Sequence, residues 1–461
     1  MSDEGLAAAR EVMEAARVPP RAIDVFAHYY GELEAGATGK IPESDIDPLD
    51  PPARLADAEV DEETQREALS RTAIIKLNGG LGTSMGMDKA KSLLPVRGDR
   101  TFLDVLVEQV RRVRSAYGVT LPLILMDSFR TREDTLAALS AYPDIPVDGL
   151  PRDFLQNKEP KLRADDLTPV SWPKDPSLEW TPPGHGDLFT ALDASGTLQA
   201  LRDQGYRYAS VSNSDNLGGF PDPKIAGWFA QSGAPYAAEV CRRTPADVKG
   251  GYLVRRKSDG RLVLRETAQT PKEDLAVADD ITRHRWFHTN NLWFDLDALA
   301  AVIEERGGVL ELPLIRNEKT VDPTDPQSPA VIQVESAMGA IVQVFDGATA
   351  IEVERSRFLP VKTTDDLLLV RSDFYTLDDD FHLVAAHDES PLVRLDKSYY
   401  KLVQDFDTRF PKGPVSLVDA ASFAVEGDWT FGADVRAVGD VSVGAAGSTG
   451  TIPDGTTLEG S

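Results

Sequence analysis

TAIIKLNGGLGTSMG, residues Thr72–Gly86, is the stretch whose reading decides the fold. Thr72–Leu77 is a short apolar run rich in isoleucine, the texture of a strand buried on both faces. It leads into Gly79, Gly80, Gly82 and Gly86. Glycines let backbone N–H groups approach phosphate oxygens and adopt positive φ. No Gly-Lys-Ser/Thr closes the loop, so it is not a P-loop. The spacing of Gly80, Gly82 and Gly86 is GxGxxxG, not the dinucleotide fingerprint. A tight strand-to-helix turn is the equal alternative for such a loop taken alone. Its place after the first strand of a sheet favours a ligand, since open α/β sheets bind ligands beyond the carboxyl ends of their strands. Lys89 and Lys91 follow within a few residues and favour a phosphate.

Working outward, Thr101 is placed to open a helix with Asp104 as its capping-box partner. Leu103, Leu106, Val107, Val110 and Val113 form its apolar stripe, and Gly118 ends it. LPLILMDS (Leu121–Ser128) reads as a strand and TREDTLAALSAY (Thr131–Tyr142) as a helix. The alternation continues through Tyr208–Asn216, Pro235–Cys241 and the strand-plus-helix Asn290–Gly307. This pattern predicts a parallel, doubly wound α/β sheet. Upstream, residues 2–17 read as a helix capped by Ser2, with Asp3 and Glu4 in its first turn and Leu6, Ala9, Met13 and Ala16 on one face. A second helix carries Ile23, Phe26, Tyr30 and Leu33. Residues 36–55 read as an irregular connector, and Asp61 as the cap of a short helix. From Gly427 onward single apolar residues alternate with glycines, and the spacing fits either a β-helix-like coil or an unstructured Gly-rich tail.

Composition narrows the function. The 461 residues carry 49 basic and 75 acidic side chains, a formal charge of −26. Such a surface repels nucleic acid and anionic lipid. No apolar run approaches the roughly 18 residues that a membrane span needs. The acidic start is unlike a signal peptide. The single cysteine, Cys241, excludes an internal disulfide and fits a reducing cytoplasm. It reads as a buried strand residue, although Arg242 and Arg243 would favour its thiolate. The histidines show no metal-ligand spacing, and no GxSxG or HExxH occurs.

Three further segments bear chemistry. In WTPPGHGDLFTAL (Trp180–Leu192), glycines flank His185 and Asp187 is placed to cap the next helix. In VSNSDNLGG (Val211–Gly219), Asp215 stands at a strand end, where a hard cation takes oxygen ligands; an Asx-turn is the commoner alternative. In RSRFLPVKTTDDLLL (Arg355–Leu369), Lys362 precedes a helix with Thr364 as a cap. A surface lysine is the commoner reading of that position alone.

Taken together and in order, KLNGGLGTSMG, KSLLPV, LILMDSF, PPGHGD, VSNSDNLGG, ADVKGG, AQTPKED, HTNNLW, VIQVESAMGA and SRFLPVKTTDDLLLV resemble the eukaryotic-type UTP–glucose-1-phosphate uridylyltransferase family. The tail DWTFGADVRAVGDVSV resembles that family's C-terminal β-helix. The resemblance implies a GT-A-like, doubly wound α/β nucleotidyltransferase core at 61–385. N-terminal helices and a connector precede it at 1–60, and a β-helix-like domain follows at 386–461. It implies that UTP and glucose 1-phosphate give UDP-glucose and pyrophosphate with Mg²⁺. Leu77, Asn78, Gly79, Gly80 and Lys91 match nucleotide-loop positions, while Gln156 and Gly184 match those that meet uracil. His185, Asn213 and Ser214 would meet the sugar phosphate, Asp215 the metal, and Glu266 and Asn290 the sugar hydroxyls. Lys362 matches the essential lysine and, with Lys91, would be catalytic.

Asp88 and Lys89 depart from the family's usual pair, so only Lys91 is carried over. Relatives acting on N-acetylhexosamine phosphates or on many sugars usually read GTRLG; Ser84 and Met85 favour the glucose enzyme. A UDP-sugar-binding regulatory protein would have lost Asp215 or Lys362, and both are present. The chain stops soon after Leu458-Glu459-Gly460, before the family's usual last segment, so a monomer or weak dimer is expected rather than an octamer.

Overall fold

The computed structural model describes residues 2–244, 247 and 250–460, without the side chains of Ser2, Asp3 and Ser84. The expected capping by Ser2, the first-turn place of Asp3, the reading of Ser84 and Val248-Lys249 of the ADVKGG segment therefore lie outside the described residues.

The centre is a mixed sheet. Its main path contains β1 (Ala53–Arg54), β2 (Thr72–Asn78), β3 (Leu123–Asp127), β4 (Asp153–Leu155), β5 (Tyr208–Asn213), β6 (Tyr236–Arg242), β7 (Trp286–Asp295) and β8 (Thr349–Glu352), in the spatial order β1-β8-β6-β7-β5-β2-β3-β4. Both faces of β2 are covered, which is why its sequence is almost continuously apolar. Ala73 and Ile75 join one core with Met126, Leu188 and Phe189, whereas Ile74 joins the other with Leu103, Val107 and Leu125. The helix after the glycine loop, Phe102–Tyr117, starts as expected: Thr101 accepts from the Asp104 N–H at 3.2 Å, and Asp104 accepts from the Thr101 N–H at 2.7 Å. Asp61 likewise accepts from the Thr64 N–H at 2.7 Å and caps Glu62–Ser70.

Two expectations change. The sheet is not wholly parallel, because β7 runs antiparallel to both β5 and β6. Parallel neighbours need a crossover. Between β6 and β7 the chain instead forms a hairpin, Gly251–Arg256 with Leu262–Glu266, and returns from the end at which β6 finished. The connector at 36–55 is not wholly irregular either. Ile46–Pro48 pairs with Val254–Arg256, and β1 is the edge of the main sheet. Edge positions suit a proline-rich segment, since proline has no N–H to donate to a ladder.

The N-terminal helices Ser2–Ala15 and Pro20–Glu34 bury Ala9, Met13, Ile23, Phe26, Tyr30 and Leu33 against Leu162, Ile332 and Val334. At the other terminus Leu392–Leu395, Ala420–Phe431, Arg436–Ile452 and Thr457–Glu459 pair in parallel, each with the next in sequence. Residues 432–435 are too few for a crossover helix, so the chain coils and stacks one turn on the last. Gly427, Gly439, Gly444 and Gly455, all at positive φ, make corners. The coil is thus the arrangement the tail adopts, with Phe423, Phe431, Val441 and Val443 inside. That core is continuous with Met85, Leu94 and Phe102 around the glycine loop and with Leu367 of the helix Thr364–Arg371.

Phe431 is fully buried and stacks on Phe410 with ring centroids 4.9 Å apart. Phe431→Ala is expected to lower unfolding stability by about 3–5 kcal/mol, measured by urea denaturation. A loss under about 1 kcal/mol would show that the coil contributes little packing.

Candidate active site

β2 and β5 lie parallel with Leu77 opposite Asn213, and the Ser214 N–H donates to the Leu77 carbonyl at 3.0 Å. The glycine loop and the Asn213–Asp215 turn therefore leave the sheet side by side, at the carboxyl ends of two parallel strands. Asn78 is buried and serves the scaffold. Its amide donates to Asp127 Oδ1 at 2.7 Å and Thr135 Oγ1 at 3.0 Å, and its Oδ1 accepts from Ser214 Oγ at 3.1 Å. The side chains of Asn78 and Ser214 thus tie β2, β3 and the turn together, and the loop backbone is left to meet a ligand.

The Lys91 N–H donates to the Gly80 carbonyl at 3.0 Å, and its ammonium lies 2.7 Å from Asp215 Oδ2. The two side chains keep only 14% and 18% of their surface exposed. Asp215 Oδ1 is buried and has no hydrogen-bond partner among the described residues. A carboxylate oxygen in that state suits Mg²⁺, which takes one or two carboxylates and completes its shell with water and substrate phosphates. No group of three or more His, Cys, Asp or Glu side chains with metal-ligand geometry occurs among the described residues.

Gln156 follows β4 and presses on the same loop. Its Nε2 donates to the Gly184 carbonyl at 2.9 Å, and a Cβ on Gly79 would lie 2.7 Å from its Oε1. Gly184 has φ +78°, and a Cβ there would meet the Ser336 carbonyl oxygen at 2.6 Å, so only glycine fits. Asp187 does not cap the next helix with its side chain. It accepts instead from the N–H and the Nδ2 of Asn157 at 2.6 and 2.8 Å, a competing pair of bonds that locks the Gln156 segment to the His185 turn.

His185, Glu266, Asn290 and Lys362 line one cleft of 290 Å³ together with Gly250, Gly251 and His288. His185 Nδ1 accepts from the Met338 N–H at 2.9 Å, so its ring proton sits on Nε2. Burial, then the Lys362 ammonium, lowers its pKa to about 4. His288 Nδ1 accepts from the Asn290 N–H at 3.2 Å, and burial brings its pKa to about 4 too. Burial raises the Glu266 carboxyl, opposed by Lys362. Lys362 is exposed, and the residue before it hydrogen-bonds to the turn of Asp215: the Val361 N–H donates to the Asp215 carbonyl at 3.2 Å. The helix after Lys362 is capped by Thr363 rather than Thr364, because Thr363 forms the capping box with Asp366. Cys241 is buried, and burial pushes its thiol up to about 11 despite Arg355 nearby.

Sequence reasoning missed the layer beneath. Lys76 Nζ, fully buried in β2, donates to Ser212 Oγ and the Gly219 carbonyl, both at 2.6 Å. Burial and the Arg357 charge, opposed by Glu239, bring its pKa down to about 7. Glu239 and Arg357 form a buried bidentate pair at 2.7 and 2.9 Å. A lysine inside the Ile-rich run and a glutamate inside YAAEVC were the available signals, since charges at such positions need partners.

A sheet of this kind, with a glycine loop, a lysine–aspartate pair and a 290 Å³ cleft beside them, is a site for a phosphorylated ligand on an α/β sheet, and the family that the chain matches makes its class that of the nucleotidyltransferases. The chain belongs to the UTP–glucose-1-phosphate uridylyltransferase family, whose model matches residues 23–437. It is 39% identical over 411 residues to the Solanum tuberosum UTP–glucose-1-phosphate uridylyltransferase, covering 88% of this chain and 83% of the relative. It is 42% identical over 398 residues to the Saccharomyces cerevisiae enzyme of the same name, covering 85% and 77%. A crystal structure of a Leishmania major UDP-glucose pyrophosphorylase mutant with UDP-glucose superposes with a TM-score of 0.93 at 41% identity, over 99% of this chain and 98% of that one.

With a folded pKa near 4, His185 stays neutral throughout the physiological range and charges only well below it. In an NMR titration from pH 8 to 5.5, assigned by comparison with His185→Asn, its ring resonances should not move. An inflection near pH 6.5 would contradict the buried, neutral ring.

Proposed function

We propose that this chain joins UTP to glucose 1-phosphate, releasing pyrophosphate and forming UDP-glucose. The observation that supports it most is the meeting of three segments at one sheet edge: the glycine loop with Lys91, the turn with Asp215, and the segment Arg355–Lys362, a strap that ends on Lys362. A phosphate oxygen of glucose 1-phosphate attacks the α-phosphorus of UTP in line. The bond from that phosphorus to the bridging oxygen breaks, and pyrophosphate leaves with its electron pair. The attacking oxygen is already anionic near neutral pH, so no general base is needed. Catalysis is positioning plus charge neutralisation.

Gln156 offers a donor and an acceptor to the uracil edge beside Gly184. Leu77, Gly79 and Gly80 hold the nucleotide through the loop backbone. His185 offers its Nε2–H to the sugar phosphate next to Asn213, and Glu266 and Asn290 take sugar hydroxyls deeper in the cleft. Lys91, from the glycine loop, and Lys362, from beside the cleft, offer ammonium groups to the phosphates. Asp215 would hold Mg²⁺ through its buried Oδ1, and the cation would supply charge neutralisation at the phosphates. The formal −26 charge supports a monomer or weak dimer at low salt. A single buried cysteine supports a reducing, cytoplasmic setting, and no described helix is long and apolar enough to cross a membrane.

Lys362→Ala should lower kcat by about a hundredfold or more, because a charge on the transferring phosphoryl group acts most strongly in the transition state. Steady-state pyrophosphate release measures it, and a kcat within about threefold of the parent would contradict the role. Asp215→Asn should raise the Mg²⁺ concentration needed for half-maximal rate, since a neutral amide is a poorer partner for a hard cation. An unchanged Mg²⁺ titration would remove Asp215 from the metal site.

A further inference from the structure

The residue after Asp215 touches both catalytic segments while lying under them. Asn216 is 1% exposed. Its Oδ1 accepts from the Leu359 N–H at 2.8 Å and the Gly218 N–H at 3.2 Å. Its Nδ2 donates to the Arg357 carbonyl and to Asn291 Oδ1, both at 3.1 Å. One side chain therefore satisfies an N–H and a carbonyl on the strap that ends at Lys362 and closes the turn that carries Asp215. Its backbone also forms an isolated bridge with Pro360.

The strap is anchored from below by the same layer. Arg357 donates to both oxygens of Glu239 and, through Nη1, to the Phe220 carbonyl at 2.8 Å, which ties the far end of the SDNLGG turn. Asn291 Nδ2 reaches Glu239 Oε2 at 3.0 Å and the Arg357 carbonyl at 3.1 Å. Asn216, Glu239, Asn291 and Arg357 are buried and do not line the cleft that holds His185 and Lys362, so the layer acts on the reaction through the segments it holds. A fully satisfied buried network of this kind admits one register between them.

We propose that Asn216 is a positioning residue for nucleotidyl transfer: it keys the turn bearing Asp215 to the strap bearing Lys362 and sets the separation of the two groups across the reacting phosphates. This rests on the role given above to Lys362. Small displacements of a catalytic charge are costly to rate, while the uracil side, built on Gln156 and Gly184, does not depend on this register.

The test is a double-mutant cycle. Asn216→Ala should lower kcat by about tenfold to a hundredfold while KM for UTP stays within about threefold. In a Lys362→Ala background the same substitution should lower kcat by less than about twofold, because the group it positions is gone. Asn216→Asp keeps both acceptor bonds but sets a buried carboxylate oxygen against the Arg357 carbonyl and Asn291 Oδ1, so its kcat should fall at least as far as that of Asn216→Ala. If Asn216→Ala does not fold, the cycle is run with Asn216→Ser, which keeps a small hydroxyl and adds no charge, and the same non-additivity is expected. Equal fold losses in the two backgrounds, or a loss that appears in KM for UTP instead of kcat, would overturn the proposal and leave Asn216 as a stability residue. A Lys362→Ala enzyme that retains its kcat would overturn the parent reading instead, so the two failures are told apart.

Discussion

A buried ion pair governs the catalytic edge of this molecule. Glu239 lies in the middle of β6 and Arg357 in the strap before Lys362, both shielded from solvent. Burial by itself would neutralise the carboxyl, but the guanidinium, the Trp293 indole N–H and the Asn291 amide hold it ionised and below its ordinary range. Removing one partner of such a pair leaves an uncompensated charge, at a cost of about 3–5 kcal/mol. The surrounding groups are therefore constrained. Trp293 and Asn291 of β7 complete the carboxylate, Phe220 completes the guanidinium, and Asn216 and Asn291 complete the Arg357 carbonyl. Asn291 and Trp293, two positions apart on β7, share the face that meets Glu239.

The layer above inherits this order. Lys76 holds the Gly219 carbonyl from β2, the strand that feeds the glycine loop. The loop and the Asp215 turn are thus fixed to each other twice, by strand pairing at Leu77 and Asn213 and by the ammonium beneath. What remains uncommitted at the site is a set of charges and donors with few internal obligations: an Asp215 oxygen without a hydrogen-bond partner among the described residues, the Lys362 ammonium and the Nε2–H of a neutral His185. Rigid support below and unsatisfied polarity above is the division expected of a site that works by electrostatic preorganisation.

Much of this was legible in the chain, for physical reasons. β2, β3 and β5 are covered on both faces, so their apolar runs stand out, and the Thr101–Asp104 box is a local signal. Strand direction is not local: WFHTNNLWFD has the same apolar texture whichever way it runs, and only the hairpin before it reverses the chain. Lys76, Glu239 and Arg357 were each visible as charges. Their meaning lies in contacts between residues more than a hundred positions apart, 118 for Glu239 and Arg357. Asp187 was read as a helix cap because nothing nearby in sequence shows that Asn157, 30 residues away, takes both its oxygens. The tail's spacing left two readings open, and the stacking of Phe410 on Phe431 illustrates the packing that selects the coil.

In the proposed function the three segments form one site, with base, phosphates and sugar in successive positions along the carboxyl edge. A crystal structure of this protein with UDP-glucose and Mg²⁺ tests it directly. The uracil edge is expected on Gln156 and Gly184, the sugar beside His185 and Asn290, Lys362 against a phosphate oxygen, and the metal about 2.1 Å from Asp215 Oδ1. A nucleotide bound with its phosphates away from Asp215 and Lys362, or a metal held without Asp215, would contradict it.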